Sequence, residues 1–72
     1  MKITALLHDC SLEGETGYAA SCVELPEANG QGESMEACIV DLRAAVNEVL
    51  AYRRSEAEQS LIEGERLEAL ET

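Results

Sequence analysis

The sequence predicts an α+β domain: a three-stranded antiparallel sheet, one long helix packed on one face, and a fourth strand, in the order β-β-β-α-β. Three observations carry this. Two short apolar runs, Met1–His8 and Tyr18–Val23, flank a polar segment that contains Gly14. From Met35 onward, apolar residues recur at steps of three and four. After Gly64, the segment Arg66–Glu71 alternates Leu67 and Ala69 with charges. A chain of 72 residues has room for one small domain, taken as 1–72, and a core of that size is marginal alone.

Met1–His8 reads MKITALLH, with Ile3, Ala5 and Leu7 at the period of two that marks a strand. Asp9–Thr16 is polar and suits a hairpin loop longer than two residues. Tyr18–Val23 then puts Tyr18, Ala20 and Cys22 on one face and Ala19, Ser21 and Val23 on the other. The two runs are expected to be antiparallel neighbours. Pro26 lacks an amide hydrogen, so the chain leaves the ladder at Glu24-Leu25-Pro26. Ala28–Gly32 reads as a short edge strand weakened by its glycines, with a tight turn at Asn29-Gly30 as the alternative.

Ser34 is placed to cap a helix, because its hydroxyl can accept from a free amide of the first turn. Glu33 and Glu36 add negative charge near the positive end of the helix dipole. Met35, Cys38, Ile39, Leu42, Val46, Val49 and Leu50 form one apolar face, and Leu42 and Val46 are expected against the sheet. Asp41, Arg43, Asn47 and Glu48 fall largely on the wet face. The helix is expected to run through Tyr52, Arg53 and Arg54 to about Ser60, with its last turns exposed, and Gly64 marks a turn. Residues 66–71 fit a strand by alternation, while Leu67 and Leu70 also fit one helical face. The strand reading is preferred, and it would lie parallel to the first strand with the helix as a right-handed crossover.

Composition narrows the function. Fifteen acids against five bases give a net charge of −10, which argues against a surface for DNA, RNA or anionic membranes. The same charge suits a basic protein partner, although acidity also serves solubility alone. Three cysteines without a CxxC spacing do not make a disulfide framework. No run approaches the roughly 20 apolar residues of a membrane span, and the start does not read as a leader, so a cytoplasmic protein with reduced thiols is expected. The apolar content of 46% is reached without Phe or Trp, so the core must use smaller side chains. One helix covers only one sheet face, so a homo-oligomer, dimer or tetramer, is expected to cover the rest.

Evidence for catalysis is thin. His8 and Cys10 could contribute to a metal site, but no second cluster completes one, so no metal or other cofactor is expected. His8 could serve as base to a cysteine nucleophile, yet no local motif supports this and a chain this short offers little room for a pocket. The pair is better read as part of a turn, and Cys22 and Cys38 as small buried apolar residues. GQGE is too short for a phosphate-binding loop, and no Lys follows it.

Taken in order, Gly17-Tyr18, Glu24-Leu25-Pro26, Gln31-Gly32-Glu33-Ser34, Glu36-Ala37 and Leu42 resemble the HicB-like antitoxin domain, over residues 1 to about 52. That family shows G-Y in a strand, an E-L-P-G turn, a Q-G-(D/E)-(S/T) connection and E-A at the helix start. Val23 and Glu27 depart from it, where Pro and Gly are common. The resemblance implies a partial ribonuclease H layout. It also implies a non-enzymatic role: binding and masking HicA, a small basic ribonuclease toxin. Full-length members add a DNA-binding C-terminal domain, for which residues 53–72 leave no room, so direct nucleic-acid binding is not expected. A residual nuclease would need acids converging on metal ions, one of them from the first strand, and MKITALLH has none. The alternative is an orphan structural or regulatory domain without a toxin. The residues expected to meet a basic partner are Glu24 and Glu27 at the turn, with Glu33 and Glu36 at the helix start.

Overall fold

The computed structural model describes residues 2–71 and places them as three antiparallel strands followed by one long helix. Strand β1 spans Ala5–Asp9, β2 Tyr18–Cys22, β3 Asn29–Gly32, and helix α1 Met35–Gln59. The sheet order is β1-β2-β3, with Leu7 opposite Ala20 and Ala20 opposite Gly30. The α+β class and the antiparallel hairpin follow the pattern of the sequence. The first strand starts later than the alternation implied and runs through Asp9, while Met1 lies outside the described residues.

The β1–β2 connection, residues 10–17, is a hairpin loop longer than two residues, as expected, and it opens with a 3-10 turn, Cys10–Glu13. The Asp9 carboxylate accepts from the Ser11 amide at 2.9 Å, which satisfies a donor that the short turn leaves free. The same hydrogen bond holds the Asp9 carboxyl below the usual aspartate range.

The β2–β3 connection contributes to the core. Leu25 and Ala28 are 5% and 1% exposed, within the range of the buried strand residues Ala20 and Cys22. A β-turn brings them in: the Leu25 carbonyl accepts from the Ala28 amide at 2.9 Å, and Pro26 occupies the second turn position, where its fixed φ is favourable. The remaining buried hydrophobic residues are Ala20 and Cys22 from β2 and Cys38, Leu42 and Val46 from α1. The three helix residues are four apart, one above another on a single face. Met35, expected on the apolar face, is 48% exposed and stays outside the core.

Helix α1 rests most directly on β3, and two glycines allow it. A Cβ on Gly30 would lie 2.6 Å from the Leu42 nitrogen, and one on Gly32 would lie 2.6 Å from the Cys38 nitrogen. Both distances are below van der Waals contact with helix backbone, so only glycine permits this approach. The glycines that weaken β3 as a strand are therefore the surface on which the helix sits. Ser34 caps the helix as expected, its hydroxyl accepting from the Ala37 amide at 3.1 Å.

The fourth strand is not formed. Helix α1 ends at Gln59 with Ser60 as its cap, Gly64 lies in a separate turn, and residues 65–71 adopt neither strand nor helix. The physical reason lies in the helix. Leu50 is the last apolar residue packed against the core, and α1 continues nine residues beyond it, about 14 Å at 1.5 Å per residue. The tail thus begins past the end of the sheet, where Leu67 and Leu70 are 46% and 86% exposed.

Candidate partner-binding surface

The four acids proposed from the sequence form two pairs at opposite ends of β3. Glu24 and Glu27 precede that strand, and Glu33 and Glu36 follow it. Four residues of strand set them about 13 Å apart along the sheet. Nearness in sequence therefore does not make one cluster.

Glu24 acts as a clamp on the start of β1. Its carboxylate accepts from the Thr4 amide at 2.6 Å and from the Thr4 hydroxyl at 2.7 Å, while the Cys22 thiol lies 3.5 Å away. The Thr4 amide bond is the main cause that lowers the Glu24 pKa. A depressed carboxylate favours the folded chain above its unfolded pKa, and this contribution is lost as pH falls through the lower, folded value. Glu27 accepts from the Arg53 guanidinium, which ties the β2–β3 turn to the helix. Both partners are about half exposed, so the pair contributes on the order of 0–1 kcal/mol.

Around that ion pair lies a groove of about 500 Å³ lined by Glu27, Glu48, Val49, Tyr52 and Arg53. Tyr52 is 66% exposed and stands one helical turn from Glu48, with Val49 half-buried beside it. The groove lining combines an exposed aromatic ring, a half-buried valine, two carboxylates and one guanidinium. Sequence reasoning did not single out Glu48, Val49, Tyr52 and Arg53. Their signal was an exposed Tyr at i+4 from a Glu, on a helix whose turns carry the chain past the sheet.

At the other end of β3, Glu33 lines a second concavity of about 500 Å³ with Cys10, Glu15, Thr16, Tyr18, Ala19, Gln31 and Gly32. Glu36 lies in the first turn of α1, where it faces the positive end of the helix dipole. His8 projects from β1 and its Nε2 meets the Glu13 carboxylate. Among the described residues, no group of three His, Cys, Asp or Glu side chains is placed to hold a metal ion. No helix among them is long and apolar enough to cross a membrane.

The Asp41 carboxylate accepts from the Gln31 amide at 2.9 Å. Gln31 lies in the outer strand β3, so the helix fills a main-chain donor that an edge strand would otherwise present.

No family model, curated protein or solved structure matches this chain.

Proposed function

We propose that this chain is a non-enzymatic, antitoxin-like binding module of the cytoplasm that masks a small basic ribonuclease of the HicA type. The observation that carries the reading is the groove between the β2–β3 turn and α1. There Glu27 and Glu48 flank exposed Tyr52 and half-buried Val49, on a chain of net charge −10. The ordered G-Y, E-L-P, Q-G-E-S and E-A motifs support it, as does the β-β-β-α order of the fold. A basic RNA-binding face is complementary to these carboxylates, and the aromatic ring supplies a contact that holds once docking has occurred.

Roles divide between the two acidic ends. Glu24 is engaged in clamping Thr4, so it serves the fold first. Glu48 is the main steering charge, Glu27 adds to it in part because its ion pair with Arg53 offsets its charge, and Glu33 and Glu36 lie beyond the other end of β3 and do not line the groove.

The test is surface-plasmon kinetics with the small basic protein encoded beside this one, at two salt concentrations. The double substitution Glu27→Gln, Glu48→Gln is expected to slow association, with the largest effect at low salt, where screening is weakest. Tyr52→Ala is expected to speed dissociation and leave association nearly unchanged. A parent protein that binds no basic neighbour leaves the alternative, a structural or regulatory domain without a toxin.

A further inference from the structure

The sheet has two edges, and the structure treats them differently. The outer side of β3 is blunted by the Asp41 carboxylate on the Gln31 amide. Among the described residues, the outer side of β1 has no such cover. Hydrogen bonds from the Val23 amide to the Thr4 carbonyl and from the Cys10 amide to the Gly17 carbonyl bracket the β1–β2 ladder. The antiparallel alternation then turns Thr4, Leu6, His8 and Cys10 towards β2, and the main-chain groups of Ala5, Leu7 and Asp9 outward. This edge has no proline and no bulge, and residues 3–8, ITALLH, contain no Asp, Glu, Lys or Arg.

We infer that β1 is a self-association edge, on which β1 of a second copy pairs antiparallel about a two-fold axis at Leu7. The register follows from the outward groups. Leu7 pairs with Leu7 of the second copy, and Ala5 pairs with Asp9 in both directions, so every outward amide meets an outward carbonyl. The two sheets become one of six strands. Leu6, 63% exposed on the uncovered face, comes to lie opposite His8 of the second copy. Leu7, half-buried beneath the helix, is covered by its own symmetry mate.

Charge selects this occupant. Two chains of net charge −10 repel at most approaches, and β1, whose single acid Asp9 lies at its end and would face Ala5 of the second copy, is where they meet at least cost. The tail segment 66–71, RLEALE, is a poorer strand for the edge, because two of its six residues are Glu and its start lies beyond the sheet. Self-pairing involves this chain alone and does not depend on the partner reading. The two also respond oppositely to salt: self-association tightens as salt screens like charges, and binding to a basic protein weakens.

The experiment combines sedimentation over a range of concentration with amide hydrogen exchange on the parent chain. Exchange at Ala5, Leu7 and Asp9 is expected to slow by about tenfold or more as concentration rises into the dimer range, and more readily at high salt. Ala5→Pro removes one outward amide per copy and leaves the β1–β2 ladder intact. It is expected to raise the half-association concentration by about tenfold or more with the helical signal unchanged. A monomer at all concentrations overturns the inference. So does a dimer whose three amides exchange freely, since it would form through another surface. Protection that is independent of concentration in a monomer would place the chain's own tail on the edge, and that also overturns it.

Discussion

The two parts of α1 obey different rules although they are one continuous helix. From Met35 to Leu50 the helix lies on the sheet, with Cys38, Leu42 and Val46 buried and Gly30 and Gly32 beneath its backbone. From Ala51 to Gln59 it has no sheet under it, and its side chains are exposed apart from half-buried Ala57. The first part is held by burial. The second is held by the helix-forming tendency of Ala, Arg and Glu and by elongation from an existing helix, which adds one hydrogen bond per residue without a new nucleus. Periodicity in the sequence marks the first part, and the second could be recognised only because nothing stops the helix before Ser60.

That contrast is tested most severely at Leu42. It is 2% exposed at the centre of the core, and Leu42→Ala is expected to cost about 2–5 kcal/mol in chemical denaturation. An unmoved midpoint would mean that the sheet-bound part is not held by burial. The next effect is at Gly30. Its Cβ would press on Leu42 backbone at 2.6 Å, where no flexible side chain can yield. Gly30→Ala is therefore expected to cost about 1–3 kcal/mol although it adds one methyl group. The smallest effect sharpens the other side. Glu56→Gly in the overhang should lower the helical circular-dichroism signal and move the unfolding midpoint by less than about 0.5 kcal/mol. A larger shift would show that the overhang is bound to the core after all.

Much of the fold could be read from the residues because the signals were local. The alternation in Tyr18–Cys22, the Ser34 cap and the three- and four-residue spacing of Cys38, Leu42 and Val46 are consequences of strand and helix geometry. What escaped depends on distant parts of the chain. Leu25 and Ala28 lie in a turn, and nothing in ELPEA announces that the turn folds inward. Gly30 and Gly32 carry no side chain and so no pattern, and their purpose is visible only from the helix above them. RLEALE alternates over too few residues to distinguish a strand from an exposed tail. The four acids looked like one group because sequence distance ignores the length of an intervening strand. Tyr52 was overlooked because an exposed aromatic becomes a candidate contact only when the turn carrying Glu27 is seen beside it.

The placement of the three cysteines makes the molecule its own reporter of opening. Cys22 and Cys38 are 1% and 0% exposed, and desolvation raises the Cys38 thiol pKa, so neither sulfur is open to a reagent while the helix lies on the sheet. Cys10, in the β1–β2 turn, is partly open to solvent. A thiol reagent therefore meets one accessible sulfur at once and two others only when the packed layers separate. Cys38 reports the lifting of the helix and Cys22 the exposure of the central strand. The interval between their modification times indicates whether the helix and sheet part in one step or two, with no probe added to the chain.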